Sequence, residues 1–354
     1  MYSTNQRKMK VILSLLISFF LFISCGSSAE TTKNEIETSA ENYDYVIAFG
    51  SCNRQDEAQP LWNAILQEKP DLFLWGGDNI YADTDDMDEL QADYQIQKNQ
   101  PDYQKLIKTT PILGTWDDHD YGKNDAGRNW EYKEESQRLF LDFFDVAEDD
   151  PRREREGVYH AKNFREDGKT IKVIVLDTRY FRSELQKSKE KGKRYEPDYS
   201  GTILGTKQWE WLESELNNSD ADYNVILSSI QILSAEHGFE TWGNFPSEVE
   251  KLEKLLETSK AKNVILLSGD RHISEFSEKN IEELDYPLVD FTSSGMTHSY
   301  SNFSGEPNQY RVGEVVSDLS YGLLKFDFNT GEVMMQMRGI GNKLQQEYLV
   351  KYKD

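Results

Sequence analysis

From residue 45 onward, short apolar runs alternate with amphipathic segments. The runs at 45–49, 72–75, 112–116, 171–176, 224–227 and 264–267 are rich in Val, Ile and Leu and carry few polar interruptions. Short, nearly unbroken runs of this kind predict strands buried on both faces. Segments with apolar residues at helical spacing predict helices at 61–67, 87–98, 132–144, 207–216 and 247–258. A further strand is expected at 288–291, and His160 falls in an expected hairpin strand with a structural role. The tail reads differently. Residues 323–328, then Asn329-Thr330-Gly331, then 333–337 predict a hairpin about a glycine-containing turn. Residues 181–205 are rich in Lys and Glu and predict a surface excursion near the site. Together these elements predict an α/β fold with at least one mixed sheet.

The N-terminus has another pattern. Arg7, Lys8 and Lys10 precede the apolar residues 11–23, a run shorter than the ~20 residues of a membrane-spanning helix. A basic start, a short apolar centre and then small residues predict a secretory signal over 1–24. Its end, Phe22-Ile23-Ser24-Cys25-Gly26-Ser27-Ser28, resembles a bacterial lipobox, which makes Cys25 the lipidated first residue of the mature chain. Residues 25–43 are polar and acidic and predict a flexible tether. Residues 44–354 show no low-complexity linker and no repeat, so a single domain is expected there. The expected location is a bacterial cell envelope, with the lipid anchor at Cys25; a periplasmic or secreted protein is the alternative.

Charge narrows the partners. The chain of 354 residues carries 63 Asp+Glu against 40 Lys+Arg, a formal charge of -23. A nucleic-acid backbone needs a surplus of cations on its partner, so nucleic acid is not expected as the scaffold bound, and neither is a surface of anionic lipid. Membrane association is expected only through the N-terminal anchor. The 2 cysteines exclude a disulfide scaffold.

The chemistry gathers just beyond the predicted strands. The six runs lead into Gly50-Ser51-Cys52-Asn53, Gly76-Gly77-Asp78-Asn79-Ile80-Tyr81, Asp117-Asp118-His119-Asp120, Asp177-Thr178-Arg179, Ser228-Ser229-Ile230-Gln231 and Ser268-Gly269-Asp270-Arg271-His272. In open α/β sheets the ligand crevice lies outside the carboxyl ends of the strands. Carboxylates gathered there repel one another unless a multivalent cation joins them. Asp78, Asp118, Asp270 and His272 offer hard oxygen and imidazole ligands suited to Mn, Fe, Zn, Mg or Ca. Cys52 and Tyr81 add a thiolate and a phenolate, which call for a strongly acidic ion such as Fe³⁺. Two such metals can clamp a phosphate for in-line attack.

The segments Phe49-Gly50-Ser51-Cys52-Asn53, Gly77-Asp78-Asn79-Ile80-Tyr81, Trp116-Asp117-Asp118-His119-Asp120, Leu176-Asp177-Thr178-Arg179-Tyr180-Phe181-Arg182 and Ser268-Gly269-Asp270-Arg271-His272 resemble the PhoD-like alkaline phosphatases, within the calcineurin-like metallophosphoesterases. The resemblance runs in order over residues 45–299. It implies a four-layer α/β/β/α sandwich with two mixed sheets. It also implies Fe³⁺ with Ca²⁺, other divalent metals being the alternative. By position, Cys52, Asp78, Tyr81 and Asp270 look like iron ligands, with Asp78 bridging to calcium and Asp118 and His272 on the calcium side. The histidine that the wider superfamily carries on a middle strand end is replaced here by the Ser229/Gln231 region.

The implied reaction is hydrolysis of small phosphate esters by in-line attack of a metal-held hydroxide. His119 is placed to protonate the leaving oxygen or to bond the phosphate, and Asp120 to orient its ring. Arg179 is expected to hold the phosphate through paired N–H donors, and Asn53 to bind substrate. His298 and His237 are further pocket candidates, with an ordinary loop role as the alternative. Three other functions remain to be told apart: a phospholipase-type phosphodiesterase acting on lipid headgroups, a non-catalytic anion-binding surface lipoprotein, and a glycosidase with two working carboxylates, which a chelator would leave active. A monomer is expected.

Overall fold

The computed structural model describes residues 43–352. The expected signal, Cys25 and, Tyr43 aside, the tether lie outside the described residues. In chain order come β1 (Tyr45–Gly50), α1 (Trp62–Glu68), β2 (Leu72–Gly76), α2 (Met87–Lys98), α3 (Pro101–Leu106), β3 (Ile112–Thr115), α4 (Asp118–Tyr121) and α5 (Lys133–Phe143). The middle of the chain carries β4 (His160–Glu166), β5 (Lys169–Val175), β6 (Gln186–Lys187), β7 (Tyr195–Glu196), α6 (Gly205–Asn217), β8 (Tyr223–Leu227), α7 (Pro246–Thr258) and β9 (Val264–Ser268). The last part carries β10 (Ser274–Lys279), β11 (Leu288–Ser293), β12 (Arg311–Val316), β13 (Tyr321–Asp327), β14 (Glu332–Arg338) and β15 (Leu344–Lys351).

Two mixed sheets result. The first runs β15-β14-β13-β1-β2-β3 and the second β12-β10-β11-β9-β8-β5-β4. Strands β1, β2 and β3 are parallel, and the tail joins them antiparallel through β13. In the second sheet β5, β8, β9 and β11 are parallel, with antiparallel β4 and β10 at their flanks. His160 opens β4 opposite Val175, in the hairpin expected for it.

The pleat sorts the inner strands β1, β2 and β13 of the first sheet between two cores. Tyr45, Ile47 and Phe49 of β1, Leu72 and Leu74 of β2, and Leu324 and Phe326 of β13 face the second sheet. Their neighbours Ala48, Phe73, Trp75 and Leu323 face the helices instead. Phe49 meets Phe291 of β11 edge-on at 4.8 Å, and Tyr223 of β8 meets Phe326 at 5.1 Å, so the sheets interdigitate. Each such side chain contributes about 1.5–3 kcal/mol by leaving water. On the outer face of the first sheet, Trp62, Leu90, Tyr94, Tyr103 and Phe140 bring in α1, α2, α3 and α5. Trp209 and Leu212 of α6 and Leu252 and Leu256 of α7 pack with the second sheet. The order of layers is α/β/β/α.

Local chemistry fixes the helix ends that matter for the site. Asp86 caps α2 by accepting from the N–H groups of Asp88 and Glu89, at 3.0 and 3.4 Å. The short α4 is held by a reciprocal cap between Asp117 and Asp120, which leaves Asp118 and His119 on its first turn.

Candidate metal centre

The carboxyl ends of the parallel strands of both sheets meet. Ser51, after β1, donates its hydroxyl to the carbonyl of Ser293 at 3.1 Å, and Thr115 donates to the carbonyl of Leu176 at 2.6 Å. Approach this close leaves no room for side chains at two positions. A Cβ on Gly77 would lie 2.6 Å from that of Asp117, and one on Gly269 only 2.5 Å from Ser51 Oγ. The chain then turns through left-handed backbone at Cys52 (φ 58°), Asp78 (49°), Asp270 (67°) and His272 (54°). Residues other than glycine adopt this at a cost of about 1–3 kcal/mol each, and here the turns bring four polar side chains together.

Asp78 is the hub. Its Oδ2 lies 3.3 Å from Cys52 Sγ and 3.1 Å from the Tyr81 hydroxyl, and that hydroxyl lies 3.0 Å from His272 Nε2. Four groups of ligand atoms fall within 4.8 Å of one another, three of them built on Asp78: Cys52, Asp78 and His272; Asp78, Asp118 and His119; and Asp78, Asp117, Asp118 and Asp270; the fourth is Asp118, Asp125 and Glu240. The six expected ligands Cys52, Asp78, Tyr81, Asp118, Asp270 and His272 thus converge. Their grouping differs from the one the resemblance implies. His272 falls beside the sulfur and the phenol, whereas Asp270 falls in the all-oxygen group.

The electrostatics are those of a centre short of positive charge. Burial, with the Cys52 and Asp118 charges adding to it, pushes the Asp78 carboxyl well above the usual carboxylate range. Burial and the Asp117 and Asp118 charges do the same to Asp270. The buried Cys52 thiol is pushed up to about 11. Asp118 moves the other way: burial opposes its charge, but Arg179, His119 and the Asp125 N–H outweigh it. Its Oδ1 is buried with no hydrogen-bond partner. Carboxylates that resist ionising together, with an orphaned oxygen among them, fit a multivalent cation.

His119 stacks on Tyr81 with ring centroids 4.2 Å apart, and its Nδ1 lies 2.6 Å from Asp83 Oδ2. Burial works against its charge, but Asp78, Asp83 and Asp118 together hold its pKa up to about 11. The expected partner of that ring, Asp120, is turned away. It accepts from the Asn79 side chain at 2.6 Å and the Asp117 N–H at 2.6 Å, because it serves the cap of α4. Asp83 holds the ring in its place.

Two more expectations meet a different geometry. Arg179, expected on the phosphate, is fully buried and ion-paired with Asp117 at 2.5 Å and Glu240 at 2.7 Å. Asn53, expected on substrate, is also fully buried and donates to Gln97 at 2.7 Å. In the Ser229/Gln231 region, Ser229 donates to Asp117, and Gln231 donates to Glu275 and Thr292, both at 2.8 Å. Neither belongs to the three ligand groups around Asp78. His298 packs against Tyr81 and His272, with centroids 4.8 and 4.5 Å away. His237 is buried and accepts the Phe239 N–H at 3.1 Å.

Residues that the sequence does not single out complete the site. Asp83 and Glu240 sit in irregular loops with no periodic signal. Ser294 lies 3.0 Å from Cys52 Sγ, and only its place after the 288–291 run points to it. The centre opens into a cavity of about 460 Å³, lined by Asp118, His119, Asp270 and His272, and also by Arg194, Phe239, Arg271 and Tyr300.

The buried acids make a pH prediction for the chelated protein. Burial pushes Asp120 up to about 8 and Glu240 to about 7, both above their unfolded values. Such groups bind protons in the fold before they do in the unfolded chain, so stability rises as pH falls. The raised pKa of His119 acts in the same direction above about 6.5. The melting temperature should therefore climb from about pH 8.5 to 6.5 in chelator. Below that, His160, His237 and His272, held by burial at about 3, oppose the trend. A melting temperature flat or falling over the first interval contradicts this electrostatic picture.

The four layers and the acid–imidazole centre between the sheets define a metallophosphoesterase sandwich. Comparison with known proteins places it more closely: the PhoD-like phosphatase family profile matches residues 47–312, and the chain belongs to that family. Alkaline phosphatase D of Bacillus subtilis (strain 168) is 24% identical over 289 residues, which are 67% of this chain and 47% of that protein. The chain thus spans about half the length of that curated relative. A solved structure of PhoD superposes with a TM-score of 0.67 at 16% identity, over 89% of this chain and 72% of the other. A dimetal phosphatase from Danio rerio superposes with a TM-score of 0.50 at 12% identity, over 88% of this chain and 100% of the other.

Proposed function

We propose that this protein hydrolyses small phosphate esters at the Asp78 centre, with Fe³⁺ and Ca²⁺ as its ions. The convergence of Cys52, Tyr81, His272 and four carboxylates on one point beneath an open cavity carries the reading. Cys52, Tyr81 and His272 would hold the more acidic ion, Fe³⁺, together with Asp78, and the carboxylates Asp117, Asp118 and Asp270 would hold Ca²⁺. Bound there, such ions neutralise charge on phosphoryl oxygens and make water acidic enough to attack. The protein's own side chains do the rest. Asp83 occupies His119 Nδ1, which leaves Nε2 to bond a phosphoryl oxygen or to give its proton to the leaving oxygen. Asp120 and Arg179 act from behind, the first by fixing α4 and the second by fixing Asp117.

Elemental analysis of the purified protein, run beside hydrolysis of a chromogenic phosphate ester, tests this. Iron and calcium should co-purify, and a chelator should remove them and the activity together. Full hydrolysis by metal-free protein rules the reading out. The exported, lipid-anchored location belongs to the same proposal and rests on the Phe22-to-Ser28 segment. Mass spectrometry of the mature N-terminus checks it: an unprocessed Met1 is incompatible with it.

A further inference from the structure

The cavity contains one feature that its acidic floor does not explain. Phe239 carries two guanidinium groups over its ring, Arg194 at 4.9 Å and Arg271 at 4.3 Å from the centroid. Arg194 comes from the excursion that holds β6 and β7, where its N–H bonds the Gly238 carbonyl at 3.1 Å. Its guanidinium is exposed, and among the described residues no carboxylate pairs with it. Arg271 is 6% exposed and meets Glu306 through Nη2 at 2.6 Å, while its Nε is buried without a partner. Phe239 is itself tethered by the His237 ring nitrogen. Stacking on an aromatic ring fixes a guanidinium while leaving its in-plane N–H groups free for an anion.

In a chain with a charge of -23, the Arg194 guanidinium and the unpartnered Arg271 Nε on the wall of an acidic cavity offer a place for an anion. The scissile phosphate belongs with His119 and the ligand carboxylates, which leaves the arginines for a second negative group. We propose that the preferred substrates carry a second anionic group in the leaving alcohol, bound by Arg194 and Arg271. This rests on the phosphoesterase reading above and adds the substrate class to it. Arg194 and Arg271 are specificity residues here, and the excursion at 181–205 is the element that delivers the first of them.

A matched series separates the two claims: n-alkyl phosphates against α,ω-alkanediol bisphosphates of the same carbon number, with released phosphate measured on the full-length, metal-loaded protein. At low salt the bisphosphates should show about tenfold higher kcat/KM at the best chain length, through KM. Arg194→Ala should cut that ratio about tenfold, and Arg194→Lys should keep part of it. High salt should erode the preference. Equal kcat/KM for both series, or a ratio unchanged in Arg194→Ala, overturns the assignment while leaving the phosphoesterase intact. Release of phosphate from neither series overturns both.

Discussion

Asp78→Asn should empty the centre and stop hydrolysis together, with turnover falling on the order of 10³-fold and bound metal lost in parallel. Asp78 belongs to three of the four ligand groups and lies against both the Cys52 sulfur and the Tyr81 hydroxyl, so its loss reaches both halves of the centre. The amide keeps the size of the carboxylate but not its charge, and it offers a single oxygen to ions that the two halves of the centre would share. His119→Ala is the natural partner experiment. His119 reaches the site through Asp83 and the stack on Tyr81, and the Asp78 carboxylate remains. Turnover should fall about 10²-fold or more with metal content near that of the unaltered protein. An Asp78→Asn protein with full metal and full activity would remove the centre from the mechanism. His119→Ala with unchanged turnover would remove that ring.

The second large effect falls on stability. Arg179 is sealed between Asp117 and Glu240, with side-chain exposures of 0%, 0% and 1%. Breaking a buried pair strands the remaining charges, at about 3–5 kcal/mol. Arg179→Met should lower unfolding free energy by about that much in a urea titration. The alternative role, a clamp on the substrate phosphate, makes another prediction: raised KM with unaltered stability. The two outcomes are opposite, and the geometry selects the first. Arg182, which shares Glu240 through a 2.8 Å contact, would soften the loss but could not reach Asp117's vacated partner position without abandoning its own.

The parts of this molecule that can be read from its sequence are those where burial writes a pattern. Runs such as 72–75 and 264–267 lie on β2 and β9, which are buried along their whole length, so nearly every position is apolar and the strand announces itself. Strands β12 and β15 leave no such trace because they are sheet edges, half-exposed over much of their length. Such edges carry Gln, Glu and Arg where a central strand would carry Val. Helix α4 is a single turn, too short for any periodicity. The same logic divides the site. Cys52, Asp78, Asp118, Asp270 and His272 come after strands that end at one crevice, and position along the chain is enough to collect them. Asn53, Asp120 and Arg179 share those positions but point elsewhere, because the turns after the strands pass through left-handed backbone at some residues and not at others. Adjacent side chains are then sent to opposite sides, and sequence does not record which. Asp83 and Glu240 come from irregular loops and are found only in three dimensions.

The contributors to the centre have a mechanical consequence. Cys52, Asp78 and Asp118 hang from the first sheet, and Asp270 and His272 from the second. Ions gripped by both sets would act as rivets through the seam, supplementing the aromatic contacts that keep the halves in register. Withdrawing them would leave every ladder within a sheet intact and loosen only the joint, so the molecule would slacken by slipping layer on layer rather than by unravelling from its edges.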